Sequence, residues 1–307
     1  MSDPGTRANA VGLVANVLLA LAKFTLGTLA GSTAVVADGF NSAGDIFATA
    51  IGWAGYRVAQ APPDDNHPYG HGNFESVAGL VVGAILVVTG AFVSVEGLRG
   101  LFAGPSEPPE LLALWVALAT AGVKEVLYRY VSTVGRRLNA PSLLASARDH
   151  RADVFVAVTV VGGVLGARLG WPWLDPAAAA VVGAYIAWMG WEPVRHNIGV
   201  LLDEAPADVV AEVRAAAGEV DGVRGVDNVR VHPLGSHYYV DLEIAVDGAL
   251  SVHQGHELAH AVERRILDEV DHVRDVTVHV NPVGRVSRGA GSTRTGPTAP
   301  PRRGSST

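Results

Sequence analysis

Cysteine is absent from the 307 residues, which excludes disulfides and thiolate metal sites together. Charge is scarce as well: 17% of residues are Asp, Glu, Lys or Arg, against roughly 25% in an ordinary globular chain. With 49% hydrophobic residues and a mean hydropathy of +0.27, part of the chain is expected to use lipid as its solvent. Positive charge is the scarcer sign. The formal net charge of −7 offers nucleic acid no basic surface. No Ser-His arrangement and no HExxH within an apolar run points to a hydrolase, and "GHELAH" falls in the polar part of the chain, so an enzyme is not expected.

Apolar runs recur near residues 11–30, 34–58, 74–98, 111–131, 143–169 and 174–191. Each is close to the roughly 20 residues that a helix needs to cross a bilayer. The polar opening "MSDPGTRANA" lacks the layout of a cleavable signal, so the run after it is expected to remain as a span. Gly79, Gly83, Gly90, Gly162 and Gly163 lie inside the runs, where they let membrane helices approach closely. In a six-span topology Arg7, Arg57, Arg129, Arg136, Arg137, Arg148 and Arg195 share one side, leaving Arg99 and Arg168 on the other. That bias predicts both termini in the cytoplasm.

Composition changes after "LLDEAP". From Pro206 the pattern is helix, two alternating strands, a helix opened by Ser251 and a last strand "VRDVTVHVNP". The order α-β-β-α-β suits a two-layer α+β domain. The expected division is a transmembrane domain over 1–205, a soluble domain over 206–284 and a disordered basic tail over 285–307, which lacks apolar residues to pack.

Carboxylates break the apolar runs. "SARDHRADVFVAV" places Asp149 and Asp153 four residues apart, one turn apart on one helical face. "VADGFNSAGDIFA" places Asp38, Asn41 and Asp45 at i, i+3 and i+7. An uncompensated Asp at mid-bilayer costs roughly 2.5–3.5 kcal/mol, so something opposes the cost. A bound cation, protons, or salt bridges to Lys23 and Lys124 that merely orient helices all would. Asn41, Asp45, Asp149 and Asp153 would offer a cation oxygen ligands from two helices, with Asp38 behind them. His150 is expected to face elsewhere, about 100° around the helix from Asp149.

Between the second and third runs, "DDNHPYGHG" gathers Asp64, His67 and His71 in a loop. Imidazole and carboxylate suit zinc or related ions, and the bland alternative is a loop that caps the next helix, with Glu75 at its start. In the soluble part His253, His256 and His260 recur at i, i+3 and i+7, a spacing that a solvated helix face also shows.

"NSAGD", "DHRAD" and "DDNHPYGHGNFES" together resemble the cation diffusion facilitator family, over about residues 8–282. The resemblance implies a homodimeric, multi-pass exporter of divalent metals in the cell membrane, driven by proton antiport, with a metallochaperone-like (ferredoxin-like) cytoplasmic domain. It implies that Asn41, Asp45, Asp149 and Asp153 form the transport site and makes the Asp64, His67 and His71 loop a secondary metal site. It also implies a regulatory metal site at the dimer interface, with Asp227, Glu243, His256 and His279 as the counterparts. Zinc-type members typically carry His at the first position of one or both intramembrane motifs, where this chain has Asn41 and Asp149. An all-oxygen set favours Mn²⁺, with Zn²⁺, Fe²⁺ and Co²⁺ as alternatives. The other class of function is a membrane-bound metal sensor, which binds without flux.

Overall fold

A computed structural model describes residues 4–103, 107–138 and 141–283; the expected tail over 285–307 lies outside the described residues. Two compact units divide at Leu202 and Asp203. The first holds six long helices: α1 (Pro4–Leu29), α2 (Thr33–Ala59), α3 (Asn73–Phe102), α4 (Leu111–Leu138), α5 (Pro141–Arg168) and α6 (Leu174–Leu201).

Four stretches, Ala10–Leu29, Asn73–Phe102, Leu111–Leu138 and Ser146–Arg168, are long and apolar enough to span a bilayer by composition alone. Polar residues interrupt the other two helices: α2 carries Asp38, Asn41 and Asp45, and α6 carries Asp175, Glu192 and Pro193. The polar groups of α2 point inward instead: Asp38, Asn41 and Ser42 are buried. The outside is apolar, with Leu18, Val88, Trp115, Val126, Phe155 and Trp188 all exposed. That inside-out distribution is what a lipid solvent requires. Helix α6 runs to Leu201, ten residues past the end of its apolar run, since hydropathy marks where lipid contact stops and not where backbone hydrogen bonding does.

Glycine fixes how α3 meets α6. Gly83, Gly90 and Gly97 recur every seven residues on α3, opposite Gly190, Gly183 and Pro176 on α6. A Cβ on Gly90 would stand 2.3 Å from the Ala187 nitrogen, and one on Gly83 would stand 2.8 Å from the Gly190 carbonyl oxygen. The two helices therefore pack backbone to backbone, the arrangement small residues permit in membranes.

At the α1–α2 turn Gly31 adopts φ 66°, the left-handed conformation that ends a helix cheaply only at glycine. Asp175, buried at the start of α6, then accepts hydrogen bonds from the Ser32 hydroxyl at 2.6 Å and from the Thr33 backbone N–H and hydroxyl at 2.7 Å each. Its negative charge sits at the N-terminus of α2, where the helix leaves unpaired N–H donors.

The second unit carries α7 (Ala207–Gly218), β1 (Val223–Leu234), β2 (His237–Val246), α8 (Val252–Glu269) and β3 (Val273–Pro282), the expected α-β-β-α-β order. The sheet order is β1-β2-β3, with β1 antiparallel to β2 and β2 parallel to β3. Val240, Leu242, Ile244 and Val246 alternate along β2 into one core with Val209 and Val213 of α7 and Val262 and Ile266 of α8. Both helices therefore cover the same face. Ser251 caps α8, its side chain accepting from the Gln254 N–H while Gln254 reaches back to the Ser251 N–H at 2.9 Å, a full capping box.

Candidate metal centre

Helices α1, α2, α4 and α5 each turn polar residues inward, and these meet inside the first unit. Asn16 and Lys23 lie seven residues apart on α1, Thr120 and Lys124 four apart on α4, and all four are buried. From α2 come Asp38, Asn41 and Asp45; from α5 come His150 and Asp153. The Asn41 Nδ2 donates to Asp153 Oδ1 at 2.8 Å. Lys124 donates to Asp153 Oδ2 through a short charge-assisted contact and lies 3.6 Å from Asp45 Oδ2. Its Nζ also donates to Asn16 Oδ1 at 2.9 Å. Two of the four expected transport ligands, Asn41 and Asp153, thus touch directly, and Lys124 joins Asp45 to them.

A second buried pair sits beside this group. The Lys23 Nζ lies 2.8 Å from Asp38 Oδ2 and donates to the Ser42 hydroxyl at 2.9 Å. Asp38 is therefore neutralised by its own lysine. Both lysines pair with buried carboxylates, as the helix-orienting reading expects. Asn41 Oδ1 and His150 Nδ1 are buried without a hydrogen-bond partner, as is Thr120 Oγ1 on α4. A buried carbonyl oxygen left unpaired costs free energy, and such an oxygen is a ready cation ligand.

The motif "DHRAD" divides between surfaces. Asp149 is exposed, and the hydrogen bonds and ion pairs of the group run through Asp153. Arg151 turns away to Glu125 of α4, its Nη1 donating at 2.6 Å. His150 departs from expectation. It is 6% exposed, with Nδ1 4.0 Å from Asp153 Oδ2. The reason is geometric: spacing from Asp149 turns His150 aside, but His150 and Asp153 are i and i+3 and share a face. Asn16 and His150 join this group, which motif spacing alone does not announce; for Asn16 the sequence does carry a signal, because a neutral polar side chain within an apolar span is also costly.

The loop before α3 gathers its residues as the spacing predicts. Asp64, His67 and His71 bring one ligand atom each within 4.8 Å of one another. Asp64 Oδ1 accepts from the backbone N–H of Asn66 at 2.9 Å and of His67 at 2.7 Å. These backbone donors, chiefly that of His67, hold the Asp64 carboxyl below the ordinary carboxylate value. The His71 Nε2 lies 3.4 Å from Asp64 Oδ2, and Gly70, at φ 93°, makes the turn that returns His71 to the others.

The soluble domain does not gather its four candidates. Glu243 and His279 are register partners on β2 and β3, on the face away from the helices, because Leu242, Val278, Ile244 and Val280 take the other. Asp227 falls at a bulge in β1. His256 lies on α8, on the opposite layer. Among the described residues, three ligand atoms within 4.8 Å of one another occur at Asp64, His67 and His71 and not among these four. His256 instead meets His260, with their Nε2 atoms 3.2 Å apart, and His260 Nδ1 lies 2.8 Å from Glu263 Oε2. The stretch "HELAH" has the H-E-x-x-H spacing that puts two imidazoles on one helical face.

Comparison with known proteins follows the same division. Residues 10–202 match the family described as "Cation efflux transmembrane domain", and residues 205–283 match "Cation efflux protein, cytoplasmic domain". "Manganese efflux system protein MneP" of Bacillus subtilis (strain 168) is 32% identical over 280 residues, covering 89% of this chain and 94% of that protein. "Manganese efflux system protein MneS" of the same organism is 30% identical over 274 residues, covering 89% and 94%. "Magnetosome protein MamB" of Magnetospira sp. (strain QH-2) is 35% identical over 262 residues, covering 85% and 89%. With carboxylates clustered inside long apolar helices and a sheet domain after them, the chain belongs to the cation diffusion facilitator family of metal efflux transporters, and it is a multi-pass membrane protein.

Proposed function

We propose that this chain exports a divalent cation from the cytoplasm in exchange for protons, with Mn²⁺ the favoured substrate and Zn²⁺, Fe²⁺ and Co²⁺ the alternatives. The observation that carries the reading is the unpaired Asn41 Oδ1, buried beside Asp153 and Asp45 inside the helices. Asn41, Asp45, Asp149 and Asp153 form the transport site, with Asp38 behind it. Asp45, Asp149 and Asp153 against Lys124 leave a formal charge of −2, which one divalent cation cancels.

The same carboxylate oxygens hold either the cation or protons, so each displaces the other as the site opens to one side and then the other. Exposed Asp149, one turn from Asp153, meets the arriving ion before the buried oxygens do. Oxygen ligands favour Mn²⁺ over copper or a thiophilic ion, and the manganese efflux proteins of Bacillus subtilis among the relatives point the same way. The Asp64, His67 and His71 loop is a second, borderline-metal site. In the soluble domain the regulatory metal site is formed at the dimer interface by Asp227, Glu243, His256 and His279, and the neighbouring His260, with its Nε2 3.2 Å from that of His256, adds a further imidazole. The transporter works as a homodimer in the cell membrane with both termini cytoplasmic.

The test is uptake into proteoliposomes under an imposed pH gradient, comparing Mn²⁺, Zn²⁺, Fe²⁺, Co²⁺ and Mg²⁺. Flux strongest with Mn²⁺, dependent on the gradient and lost in Asp153→Asn, is the expected result. Zn²⁺ preference would overturn the choice of metal. Binding without flux for any ion would make the chain a membrane-bound sensor instead.

A further inference from the structure

We propose that Lys124 is a tethered counter-ion: its ammonium occupies the transport site when no metal is bound and must be displaced by the arriving cation. The inference rests on reading Asn41, Asp45 and Asp153 as that site. Lys124 is 1% exposed, so its charge has no solvent to retreat to. It contacts Asp153 Oδ2 and lies 3.6 Å from Asp45 Oδ2, carboxylates the cation needs. A divalent ion placed against both would face a like charge at close range, and in a site shielded from water that repulsion is strong.

The retreat is built in. Asn16 of α1 already accepts one Lys124 hydrogen bond, at 2.9 Å. When a cation takes Asp153 and Asp45, the ammonium gives up both carboxylates and keeps Asn16, and the flexible lysine stem absorbs the movement. Lys124 stays an ammonium in both states. Two consequences follow from charge. Once the carboxylates have released their protons, a divalent ion replaces the one remaining positive charge with two and gains net attraction to them. A monovalent ion replaces one with one and gains nothing. Lys124 therefore selects doubly charged ions, weakens their binding and so speeds their release. A lysine that only orients helices does none of these.

Lys23 does not share the role. Its partner Asp38 is not joined to Asp153 by a hydrogen bond among the described residues, and Ser42 and the Asp38 carbonyl take its remaining donors.

The experiment measures Mn²⁺ binding by titration calorimetry on the purified full chain, with Na⁺ as competitor, for wild type, Lys124→Gln, Asn16→Leu and Asp153→Asn. Lys124→Gln should bind Mn²⁺ at least about tenfold more tightly, the scale of one desolvated charge–charge interaction, and should become sensitive to Na⁺. Asn16→Leu removes the retreat and should weaken Mn²⁺ binding, so the two variants move in opposite directions. Unchanged or weaker binding in a folded Lys124→Gln overturns the proposal. If that variant does not fold, Asn16→Leu decides alone: unchanged or tighter binding overturns it. Loss of binding in Asp153→Asn with no Lys124 effect keeps the site and removes the counter-ion. Unaltered binding and flux in Asp153→Asn would remove both.

Discussion

Replacing Gly90 with Ala tests whether α3 and α6 are held together by backbone contact. The new methyl would stand 2.3 Å from the Ala187 nitrogen, 2.6 Å from the Gly183 oxygen and 2.8 Å from the Ala187 Cα. All three are backbone atoms, so no side chain can rotate out of the way. The shortfall from ordinary contact is about 1 Å, and the helices must separate by that much. Separation at Gly90 also loosens the flanking levels at Gly83 and Gly97, which share the same stripe. Overpacking of this kind costs about 1–3 kcal/mol, set against the roughly 0.5–1 kcal/mol that Ala gains over Gly in a helix. Gly122→Ala and Gly162→Ala are the controls, since nothing lies within 4 Å of a Cβ at either. They should be neutral or mildly stabilising. The assay is unfolding in mixed micelles with rising dodecyl sulfate, followed by circular dichroism. Equal midpoints for Gly90→Ala and the two controls would refute the close-packed pair.

Asp175→Ala removes the acceptor for Ser32 and Thr33, and loss of buried hydrogen bonds to a charged group should cost at least about 2 kcal/mol in the same assay; no loss would mean water replaces it. At the loop, the depressed Asp64 carboxyl stabilises its turn above the ordinary value of 3.8, and that contribution is lost as pH falls through the lower folded value. An NMR titration of the Asn66 and His67 amides should therefore give a midpoint below 3.8, and a midpoint at or above it contradicts the assignment. In the monomeric soluble domain, Ni²⁺ or Zn²⁺ binding to α8 should vanish in His260→Ala and survive Glu243→Ala, reported by the His256 ring signals; the reverse would assign that metal to the sheet residues. Ser251→Ala should cost about 1 kcal/mol, visible as faster amide exchange in the first turn of α8, and unchanged exchange would dismiss the cap.

The sequence by itself determined what depends on neighbours along the chain. Apolar runs of bilayer length mark the first six helices, alternation marks the strands, with β1 interrupted by a bulge at Asp227, and Ser251 with Gln254 announces the start of α8. The Asp64, His67 and His71 cluster was also legible, because Pro68 and Gly70 confine all three to one short loop. The inward face of α2 followed from the spacing of Asp38, Asn41 and Asp45. Tertiary structure alone decided which polar faces meet. Periodicity fixes angles around one helix axis, whereas the rotation of each helix toward its neighbours is set by packing. That is why Asn41 finds Asp153 across 112 residues, why Lys124 reaches Asp153 and Asp45 from α4, and why His150 turns inward while Asp149 stays exposed. The same reason separates His256 from Glu243 and His279: a strand sends alternate residues to opposite faces, and α8 covers the face those two do not share.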